Sequence, residues 1–228
     1  MAEIEGNMNM KRLTVGAFEV NCYVIWDQDR NALVLDPGAN PERIQQVIEA
    51  NRLKVSAYLI THGHADHIGA LATLRQANPA PVALSAEDAR WAFRSINQIP
   101  PYYPAPQSPP EIARNLQDGQ KWTDGKLRYE VIATPGHTPG GVCFYFPDAL
   151  ALFAGDTLFQ SSVGRTDLPG SDPRALSNSL KKLKSLPDNT KVFPGHGPET
   201  TIGIEKRTNF FLRGGGSSRH SSRSPIIV

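Results

Sequence analysis

The chain has 228 residues, a formal net charge of +2 and an apolar fraction of 39%. These values are ordinary for a globular protein and exclude a strongly basic nucleic-acid-binding chain. No apolar run reaches the roughly 18 residues that a membrane span needs, and we recognise no signal peptide. We therefore expect a cytoplasmic protein without a nucleic-acid or membrane partner, and the composition leaves its oligomeric state open.

Both ends of the chain differ in composition from its centre. Met1–Met10 carries methionine at positions 1, 8 and 10, which favours a leader outside the fold, such as a vector-derived one. Residues 213–228 are rich in Gly and Ser without periodicity, so they cannot bury enough apolar area to offset the entropy of ordering them. We predict one domain over residues 11–212, a leader over 1–10 and a flexible tail over 213–228.

Short apolar runs alternate with helical patterns along the centre of the chain. Cys22–Trp26 and Ala32–Leu35 are rich in Val, Ile and Leu and flank a polar turn, which predicts a β-hairpin. The patterns that follow predict, in order, a helix over Pro41–Asn51, a strand over Val55–Ile60, a helix over Ile68–Ala77, a strand over Val82–Leu84 and a helix over Glu87–Arg94.

The segment Ile99–Pro110 holds six prolines among twelve residues. It is predicted to be a loop with little backbone freedom, which either borders the site or makes a subunit contact. Beyond it we predict strands over Leu127–Ala133, Val142–Phe146, Leu150–Ala154 and Lys191–Phe193, and helices over Pro173–Leu186 and Thr201–Phe211. Strands interleaved with helices and hairpins indicate the α/β class, with a mixed sheet layered by helices.

The sequence THGHADH at residues 61–67 directly follows a predicted buried strand. Loops in this position are held by a rigid sheet and frequently carry function. An isolated histidine is usually a satisfied polar side chain, but a dense cluster favours metal binding. Four potential ligands lie within six residues: His62, His64, Asp66 and His67.

Three further potential ligands, His137, Asp156 and His196, each come directly after a predicted strand and beside a glycine that permits a tight turn. Strand ends at one edge of a sheet can bring distant residues together. We therefore predict that all seven side chains form one metal site. The remaining histidine, His220, lies in the tail.

This pattern resembles the metallo-β-lactamase superfamily, in which a His-x-His-x-Asp-His signature is followed by a later His, Asp and His. The resemblance extends from about Leu13 to Leu212. It implies a four-layered αβ/βα sandwich with mixed sheets and a dinuclear centre at its edge. It also implies the metal ligands: His62, His64 and His137 for the first ion, Asp66, His67 and His196 for the second, and Asp156 as the bridge between them.

Imidazole and carboxylate ligands without a thiolate suit Zn²⁺, and they tolerate Fe or Mn. We therefore predict two Zn²⁺ per chain, with Fe or Mn as alternatives. A hydroxide shared by two cations would form near neutral pH, because metal binding lowers the pKa of water to about 7. It would attack a carbonyl or phosphoryl centre, with Asp66 as a metal ligand and a candidate proton acceptor.

The segment Gly155–Asp167 resembles the short bacterial branch of glyoxalase II-like proteins, whereas a common lactamase would place a cysteine at Asp156. This resemblance implies hydrolysis of a glutathione thioester such as S-lactoylglutathione. A thiol with a pKa of about 8.5 leaves without a strong general acid. Arg165 is a candidate for orienting a substrate carboxylate, and an ion pair with Asp167 or Asp172 is the alternative.

Three other functions remain open at this point. A mononuclear iron persulfide dioxygenase would use part of the same residue set as a two-histidine-one-carboxylate iron site. Metal content and oxygen consumption separate that enzyme from a hydrolase. A lactonase or promiscuous β-lactamase is distinguished by its substrates, and the complete ligand set argues against a non-catalytic scaffold.

Overall fold

The computed structural model describes residues 2–4, 8–109 and 111–213, so the tail predicted over residues 213–228 lies outside the described residues except for Arg213. Within these ranges, seven strands form a first sheet in the order β1-β2-β3-β4-β5-β6-β7. Neighbours from β1 to β4 are antiparallel and those from β4 to β7 are parallel. The strands are Ala2–Ile4 (β1), Met8–Val15 (β2), Val20–Trp26 (β3), Asn31–Leu35 (β4), Lys54–Leu59 (β5), Val82–Leu84 (β6) and Arg114–Asn115 (β7).

The C-terminal part of the described chain forms a second sheet in the order β15-β14-β11-β10-β9-β8, and β12 pairs with β13 in a separate two-stranded ribbon. In the sheet, β11 and β14 are parallel, and the other neighbours are antiparallel. These strands are Lys121–Asp124 (β8), Leu127–Ala133 (β9), Val142–Phe146 (β10), Ala151–Gly155 (β11), Leu158–Phe159 (β12), Ser162–Val163 (β13), Lys191–Pro194 (β14) and Thr200–Thr201 (β15).

Six α-helices accompany the two sheets in the described ranges. None of them combines the length and apolar composition of a membrane-spanning helix. The helices are Pro41–Ala50 (α1), Ala65–Ile68 (α2), Leu71–Ala77 (α3), Ala86–Ala89 (α4), Pro173–Lys184 (α5) and Ile202–Thr208 (α6).

Three apolar clusters hold four layers together and confirm the predicted αβ/βα sandwich. All residues of strand β3 are buried. Because successive side chains of a strand point to opposite sides, they belong to two different clusters. Its Tyr23 and Ile25 lie in the cluster between the two sheets. Its Cys22 and Val24 lie in the cluster beneath α1 and α3. The third cluster packs α5 and α6 on the outer face of the second sheet.

The predicted boundary after residue 10 is wrong, because it cuts through β2. This strand begins at Met8 and pairs with β3 along its length. Met8 and Met10 are each 5% exposed and belong to the cluster between the sheets. The two methionines are spaced by two residues because they occupy one face of a strand.

Three predicted helices are shorter or divided in the structure, among them Thr201–Phe211, of which only Ile202–Thr208 is helical. Ile68–Ala77 is interrupted after α2, because the Ala70 amide donates to the Pro37 carbonyl at 2.9 Å instead of extending the helical ladder. Of Glu87–Arg94, only the part within α4 is helical. The chain then continues in turns, and Asn97 Nδ2 donates to the Ala92 carbonyl at 2.6 Å.

Strand direction explains why the predicted ligands meet. Because β9 and β11 are both antiparallel to β10, they run the same way, and β14 is parallel to β11. Their carboxyl ends therefore lie along one edge of the second sheet. The end of β5 is joined to this edge, because the Val142 amide of β10 donates to the Thr61 carbonyl at 2.8 Å.

Candidate metal centre

All seven predicted ligands lie at this edge. His62 and His64 are in the loop after β5, while Asp66 and His67 lie in the short helix α2. The others follow the ends of strands: His137 after β9, Asp156 after β11 and His196 after β14.

The ligand atoms form two adjacent groups. His62, His64 and His137 offer ring nitrogens that all lie within 4.8 Å of one another, and so do the ligand atoms of a second group of three. The two groups are in contact, because the ring centroids of His62 and His67 are 4.1 Å apart. The second group consists of Asp66, His67 and His196.

Asp156 lies between the two groups. Its Oδ2 is 3.6 Å from His137 Nε2 in the first group and 3.5 Å from His196 Nε2 in the second. Its Oδ1 is 3.5 Å from His67 Nε2. A carboxylate in this position reaches ligands of both groups, as a bridging residue must.

Side chains orient His62 and His67 from behind. The Thr61 hydroxyl donates to Asp36 Oδ2 at 2.6 Å, so its oxygen can accept the Nδ1 hydrogen of His62 at 3.0 Å. His67 Nδ1 lies 3.1 Å from the same Asp36 oxygen and donates to it. Both rings are thereby held with Nε2 toward the centre, where the neutral ring presents its lone pair, which is the arrangement that metal-binding histidines use.

Backbone carbonyls orient His137 and His196 in the same sense. His137 Nδ1 donates to the Arg165 carbonyl at 2.9 Å, and His196 Nδ1 donates to the Phe18 carbonyl at 2.9 Å. The loop that carries His196 is fixed in turn by Asn21, whose side-chain amide donates to the Pro194 and Gly197 carbonyls. Their Nε2 atoms are thus also left with lone pairs.

Two buried atoms in the centre show that a cation fits there. His62 Nε2 and Asp156 Oδ1 have no hydrogen-bond partner among the described residues. Both are acceptors in the tautomer set above, and leaving a buried acceptor unsatisfied costs about 1–3 kcal/mol. Nitrogen and carboxylate donors without a thiolate suit Zn²⁺ or Fe. The residues present therefore match the divalent metals that this ligand chemistry binds.

The pKa values of the histidines shift in opposite directions without a metal. Burial lowers the pKa of His62 and brings that of His64 to about 4. Burial also opposes a charge on His67, but Asp156 and Asp66 overcome it and raise its pKa to about 10. The second group therefore holds an excess of carboxylate charge that a proton or a cation neutralises.

Asp88 is a site residue that the sequence analysis missed. It accepts hydrogen bonds from the Gly63 amide at 2.8 Å, the Gly140 amide at 2.7 Å and the Thr138 hydroxyl at 2.8 Å. It thereby ties the loop of His62 and His64 to the loop of His137. No sequence signal marks Asp88, because an acidic residue near a helix start is ordinary.

The role of Asp36 behind His67 was also missed. The Asp36 backbone has a φ of +46°, an uncommon conformation for a residue other than glycine. The turn that it begins is packed closely on α2, since a Cβ at Gly38 would clash with the Asp66 carbonyl.

Arg165 lies in the alternative arrangement considered from the sequence. Its guanidinium donates from Nε to Asp167 Oδ1 at 2.7 Å and from a terminal nitrogen to Asp167 Oδ2 at 2.8 Å. The side chains are 47% and 67% exposed. A role in substrate binding stays a prediction, because a ligand would compete with Asp167 for this guanidinium.

The family profile described as metallo-beta-lactamase superfamily matches residues 15–196. The chain belongs to the metallo-β-lactamase superfamily. The matched range contains all seven residues of the centre, and members of this superfamily bind divalent metals at such His and Asp groups.

Relatives and solved structures of this superfamily resemble nearly the whole chain. A protein of Haemophilus influenzae named hydroxyacylglutathione hydrolase GloC is 38% identical over 208 residues, which cover 90% of this chain and 98% of that protein. The structure of the BLEG-1 B3 metallo-beta-lactamase has a TM-score of 0.85 and 36% identity, covering 90% of this chain and 100% of its own. The structure of TTHA1623 in a di-iron-bound form has a TM-score of 0.77 and 41% identity, covering 89% of this chain and 100% of its own. The chain is thus a metallohydrolase of the superfamily with the predicted fold.

Proposed function

We propose that the protein hydrolyses a glutathione thioester, such as S-lactoylglutathione, at a dinuclear metal centre. The position of Asp156 carries this proposal, because its two oxygens face ligands of both groups. The similarity to a protein named hydroxyacylglutathione hydrolase supports the choice of substrate. Zinc is our first choice of metal, and iron is the alternative because a similar structure is di-iron-bound.

The reaction would break the bond between the thioester carbonyl carbon and sulfur while a water oxygen bonds to that carbon. His62, His64 and His137 would hold one cation, and Asp66, His67 and His196 the other. When bound, these cations would supply polarisation of the carbonyl oxygen and a lowered pKa for water. The electron pair of the broken bond leaves on sulfur as a thiolate.

This chain's own residues would position the reaction and handle its protons. Asp66 would be a ligand of the second cation and the candidate proton acceptor, and its Oδ2 lies 3.6 Å from His196 Nε2 within the centre. In the metal-free protein burial opposes ionisation of Asp66, but the charge of His67 dominates and lowers its pKa, so the residue is available as an anion. A thiolate needs no strong acid to leave.

The test combines metal analysis with hydrolysis of S-lactoylglutathione. We expect about two equivalents of metal, chiefly zinc, and release of glutathione detected by a thiol reagent. His64→Ala and Asp156→Ala should lose metal and activity with an unchanged circular dichroism spectrum. Full activity in either variant would contradict the site assignment.

Two other outcomes would redirect the proposal. About one equivalent of iron, no hydrolysis and oxygen uptake with glutathione persulfide would indicate a dioxygenase. Because a similar structure is a B3 metallo-beta-lactamase, cleavage of a β-lactam or lactone in preference to the thioester would indicate that second candidate function.

A further inference from the structure

Two aromatic rings lie against histidines of the metal centre. The Trp91 ring lies 5.4 Å from His64 in an edge-on arrangement. The Phe159 ring lies 6.3 Å from His196, also edge-on. Together with Phe18 and Tyr102 they form what we call the aromatic rim.

Phe18 connects the aromatic rim to a metal ligand. Its carbonyl accepts the hydrogen bond from His196 Nδ1 at 2.9 Å. Its ring contacts Tyr102 and Tyr103, with centroids 5.5 and 5.3 Å away. The proline-rich segment that carries both tyrosines therefore packs on the residue that supports His196. That this loop borders the site, one of its two predicted alternatives, stays a prediction.

The segment that carries Tyr102 is held in place on both sides. Ile99 and Tyr103 form an isolated bridge, with hydrogen bonds of 2.8 and 2.9 Å between their backbones. The Phe18 amide donates to the Tyr103 hydroxyl at 3.4 Å, and a Cβ at Gly16 would clash with that hydroxyl. Two prolines precede Tyr102 and fix the backbone φ angles there.

Tyr102 nevertheless leaves 59% of its surface exposed. A rigid tyrosine with only two side-chain torsions offers contact area at a low cost in conformational entropy. The guanidinium of Arg165, whose carbonyl accepts from His137, is already paired with Asp167. The exposed ring of Tyr102 is therefore more accessible to a substrate than this positive charge.

We propose that the aromatic rim binds the acyl group of the substrate and gives the enzyme a preference for thioesters with an aromatic acyl group. This inference rests on the proposed thioester hydrolysis. The glutathionyl half carries charged groups that rings do not match, whereas a phenyl group can pack against Tyr102 and Phe18. Such aromatic pairs are favourable beyond their buried area.

The experiment compares S-phenylacetylglutathione with S-acetylglutathione, which differ by one phenyl group and share the thiol. We expect kcat/KM to be about 10-fold higher for the phenylacetyl ester, since burying apolar groups of this size gives that discrimination or more. Tyr102→Ala should reduce the ratio of the two kcat/KM values about 3- to 10-fold, through KM for the phenylacetyl ester.

Two further variants make this result specific. Tyr102→Phe keeps the ring and should keep the ratio. Phe210→Ala removes a comparably exposed ring, 63% exposed, which packs edge-on against Phe211. This variant should leave the ratio unchanged.

Equal kcat/KM for the two esters, or a ratio unaffected by Tyr102→Ala, would overturn the inference while thioester hydrolysis stands. If the metal-loaded protein cleaves neither these esters nor S-lactoylglutathione, the proposed function fails as well. The two failures are therefore distinguishable in one set of assays.

Discussion

Four of the five histidines of the centre are of two kinds that differ in how they are held. The inner histidines, His62 and His67, are 2% and 0% exposed and are oriented by the side chains of Thr61 and Asp36. The outer histidines, His137 and His196, are each 6% exposed and are oriented by backbone carbonyls. Both arrangements leave Nε2 toward the centre.

This difference determines which hydrogen-bond acceptors a substitution can remove. A side-chain acceptor such as Asp36 can be removed by one substitution, whereas the carbonyls of Phe18 and Arg165 persist whatever side chain is present. The outer histidines depend instead on the conformation of the loops that supply those carbonyls. We therefore expect the inner histidines to be coupled to stability and the outer ones to local loop structure.

The largest expected effects come from removing one histidine of each kind. His67→Ala and His137→Ala should each lower hydrolysis by more than the roughly 100-fold loss typical of an outer partner of a ligand. His67→Ala should also cost the metal-free protein about 3–5 kcal/mol, because it leaves buried carboxylates without their positive partner. His137→Ala should cost much less, because its ring lies at the edge of the centre.

Urea unfolding of both variants after chelation measures this difference, and thiol release measures activity. Similar losses of stability in the two variants would remove the distinction between inner and outer histidines. Retained activity in His137→Ala would contradict the ligand assignment itself.

Asp36→Asn tests the side-chain support of the inner histidines directly. Asparagine has one acceptor oxygen for three donors, the Thr61 amide, the Thr61 hydroxyl and His67 Nδ1, and its NH2 group faces a donor at the other position. Metal affinity should therefore fall about 10- to 100-fold. Competition with a chromogenic chelator measures that affinity. Asp27→Asn is a matched control, since Asp27 is also a buried aspartate in a turn but binds Asn31 and the Lys126 amide.

An unchanged metal affinity in Asp36→Asn would show that packing alone orients His67. A loss in Asp27→Asn as large as that in Asp36→Asn would attribute the effect to general destabilisation.

Asp88→Asn tests the link between the inner and outer loops. Asparagine offers one acceptor oxygen, so at least one of the three donors that face Asp88 loses its partner. We expect a loss of about 1–3 kcal/mol in unfolding free energy and a smaller fall in metal affinity than for Asp36→Asn. Metal affinity and stability equal to those of the wild type would contradict this role for Asp88.

The sequence predicted the ligands and the layers because both leave strong local patterns. A strand followed by a dense histidine motif is visible in a short window, and so are the buried runs of β3, β4 and β10. Asp36 and Asp88 were not predictable as supporting residues, because their partners lie 25 to 52 positions away in the chain. Only the folded sheet edge brings such residues together.

The error at the N-terminal boundary has a different cause. The methionines at positions 1, 8 and 10 favour a leader on composition alone, whereas strand periodicity favours a continuous fold. Met8 and Met10 in fact alternate with Asn9, as the buried face of β2 requires. The pattern was present but too short to outweigh the composition.

The smallest expected effect concerns Arg165, whose carbonyl supports an outer histidine while its side chain is paired with Asp167. If the guanidinium orients a substrate carboxylate, Arg165→Ala should raise KM for S-lactoylglutathione about 2- to 3-fold, as expected for an exposed ion pair. Asp167→Asn should lower KM by a similar factor, because it removes the competitor. In both variants kcat should stay unchanged, since the carbonyl that accepts from His137 remains.

The effect of Asp167 on KM should not change with pH near neutrality. Arg165 lowers the pKa of Asp167 to about 2, so the pair is intact above that value and is lost only as the pH falls through it. The KM difference between Asp167→Asn and wild type should therefore be constant between pH 6 and pH 8 and shrink with added salt. Glu87→Gln breaks a comparably exposed pair with Arg90 and serves as control. An unchanged KM in Arg165→Ala would show that the guanidinium does not bind the substrate. Arg165 would then act only through its backbone carbonyl, which accepts the hydrogen bond from His137.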